Sequence, residues 1–217
     1  MFFKVWVTLH ASRVEKWIRY VKKEYLDAAP TKCVSLDCEF TDPVKGVRQK
    51  DLLQHLTHRA VVLQLSVASE TLVFQICVAD SVPELLREFL SDPNIRFCGA
   101  AIQNDVSMMQ FYGLRIANAI NLQTAVRIAT HRNNTPSLYA LANSYCKTNL
   151  PLKARNKNKG GRMDPEEELR VFGWGNPLSP EKVHYAALDA HLGFEIARRA
   201  WRLDGYNRRA DRLNLIV

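Results

Sequence analysis

The alternation of apolar and polar residues divides the chain into short runs of period two and longer runs of period three to four. Phe3, Val5, Val7 and Leu9 alternate with Lys4, Trp6 and Thr8, which predicts an N-terminal strand. Within 12–26, Val14, Ile18, Val21 and Tyr25 recur at helical spacing, with lysines and arginines on the other face, and predict an amphipathic helix. Pro30 breaks it, and the run KCVSLDCEF (32–40) predicts a second strand, whose alternation of Val34 and Leu36 with Ser35 implies one buried face. RAVVLQLSVAS (59–69) and TLVFQICVA (71–79) predict two further strands joined by a short turn, an antiparallel hairpin.

Beyond this hairpin, 81–93 predicts a helix capped by Ser81 with Pro83 in its first turn. Residues 94–102 predict a strand that leads into a helix, 104–114, closed by Gly113. A short strand and a helical segment follow over 115–130, then a helix over 135–147. The last predicted helix is long, from Leu178 to Leu203, with Ser179 as its cap and Pro180 as its first residue. The intervening 153–177 is rich in Lys, Arg, Asn and Gly in its first half, and no internal repeat is present. This order predicts an α/β fold with one mixed central sheet flanked by helices, not a regular doubly wound one. Residues 1–217 are read as a single domain, its core about 30–204, with a strand–helix addition at 1–29.

Composition narrows the partners. Hydrophobic residues make up 47% of the chain, enough for a sizeable core. Thirty Lys and Arg against 22 Asp and Glu give a net charge of +8, which favours nucleic acid or another anionic partner. The five cysteines are scattered and form no CxxC; Cys33, Cys77 and Cys98 fall in predicted strands and read as buried thiols of a reducing compartment. The apolar N-terminus is interrupted by Lys4 and lacks a small-x-small cleavage site, and no run reaches transmembrane length. The expectation is a soluble intracellular protein with no membrane partner, nuclear or cytoplasmic.

The candidate chemistry lies at three acidic stations. Asp37 and Glu39, two apart, project from the same side of the second strand at its C-terminal end, where α/β folds place their sites. Alone, such a pair reads equally as a solvated strand end. Asp105, beside Asn104, stands where a strand passes into a helix, and reads equally as a cap. Tyr185 and Asp189, spaced i and i+4 among alanines, share one face of the last helix. Singly, Tyr185 reads as a half-buried core aromatic and Asp189 as a surface charge.

Taken in order, the strand DxE, the mid-chain Asp105 and the YxxxD of HYAALDA, preceded by Trp174 and PLSPE, resemble the DEDDy branch of the DEDD 3′–5′ exonucleases. Within that branch the chain is most similar to the exonuclease domain of Werner syndrome helicase and its plant relatives, and more distantly to ribonuclease D. VVLQLS and SLYALANSYC also match the family pattern, and the resemblance covers about residues 30 to 204. The long basic connection after Glu39 and the segment 153–174 depart from that pattern.

The resemblance implies a ribonuclease H-like fold and a 3′–5′ exonuclease that removes nucleotides from a free 3′ end of RNA or DNA. Catalytic Asp37, Glu39, Asp105 and Asp189 would hold two Mg²⁺ or Mn²⁺ ions, and Tyr185 would orient the attacking water. Hard divalent cations explain the clustering: two carboxylates 4 Å apart repel by roughly 4 kcal/mol at an effective dielectric of about 20, and the cations remove that cost. Candidate substrate contacts are Phe40 (stacking, or simply core), Asn104 (nucleotide contact, or capping), and Lys153 and Arg155 (phosphates). The basic residues from Arg198 to Arg212 read as a solvated helix face. Self-assembly or a protein partner is a way for such a chain to gain processivity. The alternative functions are a non-catalytic member that binds nucleic acid or protein, and an endonuclease that cuts within hybrids.

Overall fold

The strand that carries Asp37 and Glu39 runs through the middle of a six-stranded sheet. In a computed structural model, described here for residues 3–40, 59–126, 135–151, 174 and 178–207, that strand is β2 (Lys32–Phe40). It pairs antiparallel with β3 (Ala60–Val67), which forms a hairpin with β4 (Glu70–Phe74), and β4 pairs parallel with β1 (Lys4–Thr8) at the edge. On its other side β2 runs parallel to β5 (Ile95–Gly99), which in turn runs parallel to β6 (Ala119–Asn121). Helix α1 (Ala11–Glu24) follows β1 and α2 (Glu84–Ser91) precedes β5. Helices α3 (Gln103–Met109), α4 (Leu122–Ala125), α5 (Leu138–Cys146) and α6 (Pro180–Ala200) complete the described elements. This is the mixed sheet flanked by helices that the pattern predicted.

Register fixes which residues share a face. Trp6 lies opposite Leu72, Leu72 opposite Leu65, and Leu65 opposite Leu36, so all four point to one side. Here α1 packs, burying Val14, Trp17, Ile18 and Val21, with Trp17 edge-on to Phe89 of α2. Each such side chain contributes about 1.5–3 kcal/mol on full burial. Asp37, Glu39, Gln64 and Val62 point to the other side, where α6 crosses the sheet and Ala186 and Ala187 pack on Val62 and Val73.

Three local expectations are corrected. Ser35 is as buried as Val34 and Leu36, because β2 is covered on both faces; the serine is tolerated because Gly193 of α6 passes directly over it. The strand after the hairpin turn ends at Phe74, and Ile76–Val78 forms a 3₁₀ turn, which leaves Cys77 half-buried. Ser81 does not cap α2. The residue before a proline is disfavoured in helical conformation, so the helix starts after Pro83, and Asp80 takes the Ser81 and Ala11 amides at 2.8 Å. The cap at Ser179 does form, accepting from the Lys182 amide, Gly113 closes the turn after α3 at φ 64°, and Ser137, which the pattern did not name, caps α5 by accepting from the Ala140 amide.

The contact of Gly193 with Ser35 yields a prediction. A Cβ at Gly193 would stand 2.2 Å from Ser35 Oγ and 3.3 Å from its Cβ. Gly193→Ala should therefore destabilise by about 1–3 kcal/mol through overpacking. Adding Ser35→Ala removes the nearer atom and should restore most of the loss in denaturant titrations. No rescue in the double variant would place the cost elsewhere in α6.

Candidate active site

The carboxyl ends of the three parallel strands β2, β5 and β6 open into one cleft of about 360 Å³. Asp37, Cys38, Glu39 and Phe40 come from the end of β2, Ala100 from the residue after β5, and Gln123 from α4 just after β6. Ser137, Leu138 and Tyr139 of α5 form one wall, and Tyr185 and Asp189 descend from α6. This is the switch-point position at which open α/β sheets bind ligands.

Local structure explains how these groups meet. The ladder between β2 and β3 shifts register between Glu39 and Phe40, an irregularity that bends the strand end and re-aims its side chains toward the cleft. The alanines around Asp189 let α6 lie close to the sheet, so Glu39 and Asp189 are both buried while Asp37 is half-exposed. Tyr185 packs against buried Trp174 with ring centroids 6.0 Å apart, and the Lys182 ammonium stands 4.5 Å from the Trp174 ring centre. Gln123 donates from Nε2 to the Pro136 carbonyl at 2.8 Å and thereby holds the start of α5 at the rim.

Electrostatics in the cleft is dominated by burial and shared negative charge. Asp105 does not line the cleft; it is buried beneath it, and burial followed by the charge of Asp37 raises its carboxyl to about 9. Tyr185 is pushed far above the usual phenol range by burial, then by Asp189 and Glu39. The Cys38 thiol is also raised, by burial and then by Asp105, Asp37 and Glu39.

The structure therefore brings Asp37, Glu39, Tyr185, Asp189 and Phe40 together. Asp189 is not a surface charge, and Asp105 is not a cap, since no side chain caps α3. Asn104 is exposed and does not line the cleft. Lys153 and Arg155, like residues 41–58, lie outside the described residues. Arg198 and Arg199 are tied to Glu195, as expected of a helix face. The sequence did not single out Gln123, Ser137 or Tyr139; the one signal was the segment SLYALANSYC, which matched a family pattern without assigning it a place.

All the clustered acids are hard oxygen donors, the chemistry that suits Mg²⁺ or Mn²⁺. Asp105 also shows the electrostatic penalty that a nearby cation would offset. Among the described residues, no three Asp, Glu, His or Cys side chains are gathered closely enough to hold an ion as they stand. None of the described helices is long and apolar enough to cross a membrane.

The sheet order, the helices on both faces and the position of the cleft define the ribonuclease H-like fold of the DEDD exonucleases. Solved structures share it. The catalytic core of RRP6 from Trypanosoma brucei superposes with a TM-score of 0.66 at 17% identity, over 91% of this chain and 46% of that one. RNase D from the same organism, in complex with RNA U12, gives 0.65 at 14% identity, over 91% and 62%. The sequence model of the 3′–5′ exonuclease family (DNA_pol_A_exo1) matches residues 10–202, and the chain belongs to that family. It is also 25% identical over 173 residues to the Drosophila melanogaster exonuclease 3′-5′ domain-containing protein 2, covering 79% of this chain but only 26% of that protein. The chain thus spans about a quarter of that relative and less than half of the RRP6 core.

Proposed function

We propose that the chain is a metal-dependent 3′–5′ exonuclease of the DEDDy type, one domain that removes nucleotides from the 3′ end of single-stranded RNA or DNA. The observation that carries this reading is the convergence of Asp37, Glu39, Tyr185 and Asp189, more than 140 residues apart, in one cleft of a 3′–5′ exonuclease fold. The RNA held by the structural neighbour RNase D supports a nucleic-acid substrate. PLSPE and the YxxxD helix support the DEDDy type, and the finer kinship to the Werner syndrome exonuclease domain rests on the resemblance over residues 30 to 204 as a whole.

Asp37, Glu39 and Asp189 would hold two divalent ions, with Asp105 behind them. When bound, the ions supply a nucleophilic hydroxide from water and neutralise charge on the phosphate. The chain's own groups provide position. The raised Tyr185 phenol stays protonated across the working pH range, so it donates a hydrogen bond to orient the attacking water and does not act as a base. Phe40 and Tyr139 are the cleft aromatics available to a terminal base.

The test is a 5′-labelled RNA and DNA pair, each with a free or blocked 3′ end, incubated with Mg²⁺, Mn²⁺ or chelator. A metal-dependent ladder from free ends alone supports the proposal. Cutting of blocked substrates would indicate an endonuclease, and no cutting under any condition would leave a binding protein. Tyr185→Phe is expected to lower kcat by about 10²–10³-fold, in the range of other transition-state hydrogen-bond donors. Its melting temperature should stay unchanged; a fall in stability with normal turnover would make Tyr185 a core aromatic.

A further inference from the structure

Helix α1 is far more basic than its packing requires. It carries Arg13, Lys16, Arg19, Lys22 and Lys23 against Glu15 and Glu24, three positive charges in excess over 14 residues. Arg13–Lys16, Lys16–Arg19 and Arg19–Lys22 are neighbours at i,i+3, and Arg19–Lys23 at i,i+4. Within α1 the acid–base pair at such a spacing is Glu15–Arg19, at 2.9 Å. Like charges at these spacings destabilise a helix, so the fold gains nothing from this row. Lys22 and Lys23 in the last turn favour the helix dipole, but Arg13 and Lys16 sit nearer the opposite end.

The cations are also not randomly placed. Arg13, Lys16, Tyr20 and Lys23 follow at intervals of three, four and three, one line along the outer side of the helix. The three cations are exposed and Tyr20 is half-buried. Beside Tyr20 stands Trp6 of the edge strand, ring centroids 6.0 Å apart, with the Lys4 ammonium 4.5 Å from the Trp6 ring centre. Trp6 is itself half-buried, and its indole nitrogen donates to Glu70 at 2.7 Å, which fixes the ring. A row of exposed cations interleaved with fixed, partly open aromatic rings is the arrangement that binds single-stranded nucleic acid, phosphates on the cations and bases on the rings.

We propose that the outer face of α1, with Lys4 and Trp6, is a second binding surface for single-stranded nucleic acid, separate from the cleft. The separation follows from the sheet: Trp6 shares its face with Leu36, while Asp37, the next residue, points to the other. The surface holds a strand at a distance from its 3′ end and raises affinity for long substrates only.

Fluorescence anisotropy of the full chain in chelator, where no turnover occurs, tests this with a labelled single strand of about 20 nucleotides, longer than one typical site. The triple variant Arg13→Ala, Lys16→Ala, Lys23→Ala should bind it about tenfold more weakly. The slope of log K against log salt should flatten by about two, at about 0.7 per phosphate contact. The variant acts on an exposed face, and the relief of the Arg13–Lys16 repulsion offsets the loss of Lys23 at the helix end, so its melting temperature should change little. Metal-dependent cleavage of a tetranucleotide should be unchanged. Unaltered affinity and salt slope would overturn the proposal, as would tighter binding of a polyglutamate peptide than of RNA through the same residues, which would make this a protein-docking surface. Because binding is read without catalysis, loss of the exonuclease reading would leave this result standing, and the converse also holds.

Discussion

Asp37→Asn should abolish 3′-end cleavage, by about 10³-fold or more, while leaving a folded protein. Asp37 is the cleft carboxylate whose charge raises the buried Asp105, and it also acts on Cys38 and, least of the charges there, on Tyr185. The amide is isosteric, so packing at the end of β2 is kept while the charge that would face a divalent ion is lost. Stability gives a second readout. In chelator, Asp37→Asn should melt at the same temperature as the parent or higher, because Asp105, its carboxyl raised to about 9 and so protonated near neutral pH, draws no stabilisation from the Asp37 charge. Adding Mn²⁺ should raise the melting temperature of the parent, since an ion that binds only the folded state stabilises it, and should do so much less for the variant. An equal shift in both proteins would place the ion elsewhere. Lost activity with a normal shift would make Asp37 a substrate contact and not a ligand.

How far the sequence disclosed this site depended on whether a residue's role was local or long-range. β2 was legible to the residue, because its apolar run is bounded by Pro30 on one side and by the polar TDP on the other. The Ser179 cap was legible because a cap is a contact within one turn. Ser81 failed for an equally local reason, the proline two residues on, which delays the helix. The double burial of β2 was not legible, since it depends on Gly193 in a helix more than 150 residues away. Asp37, Glu39, Tyr185 and Asp189 could be tied together only through their resemblance to a family; no local pattern predicts that they meet. Gln123 and Tyr139 are set by the link from Gln123 to the Pro136 carbonyl, a contact between segments with no periodic signature.

Gly99→Ala should be among the most damaging single-methyl changes available in this fold. Gly99 ends β5 beside β2, and a Cβ there would meet the Leu36 carbonyl oxygen at 2.4 Å, with Ile102 Cβ at 3.4 Å behind it. At Gly193 the obstacle is a serine hydroxyl that can rotate or be deleted; here it is the backbone of the central strand. Leu36 lies in register with Leu65 of β3, so its carbonyl cannot yield without moving the ladder. Overpacking costs about 1–3 kcal/mol in ordinary cores, and a backbone obstacle places Gly99→Ala at or above the top of that range. At about 2–4 °C per kcal/mol for a chain of this size, the melting temperature should fall by roughly 6–12 °C. The consequence for function follows from position, because Leu36 is joined directly to Asp37. A displacement of β2 moves the carboxylate with it, and misplacement of about 1 Å can cost about 10²-fold in rate. The folded fraction of Gly99→Ala should therefore show a reduced kcat as well as reduced stability. Gly193→Ala, whose clash lies one residue further from Asp37 and on a side chain, should lose stability with kcat nearly intact. Equal kcat in the two variants at a temperature where both are folded would show that the strand absorbs the methyl group without moving Asp37.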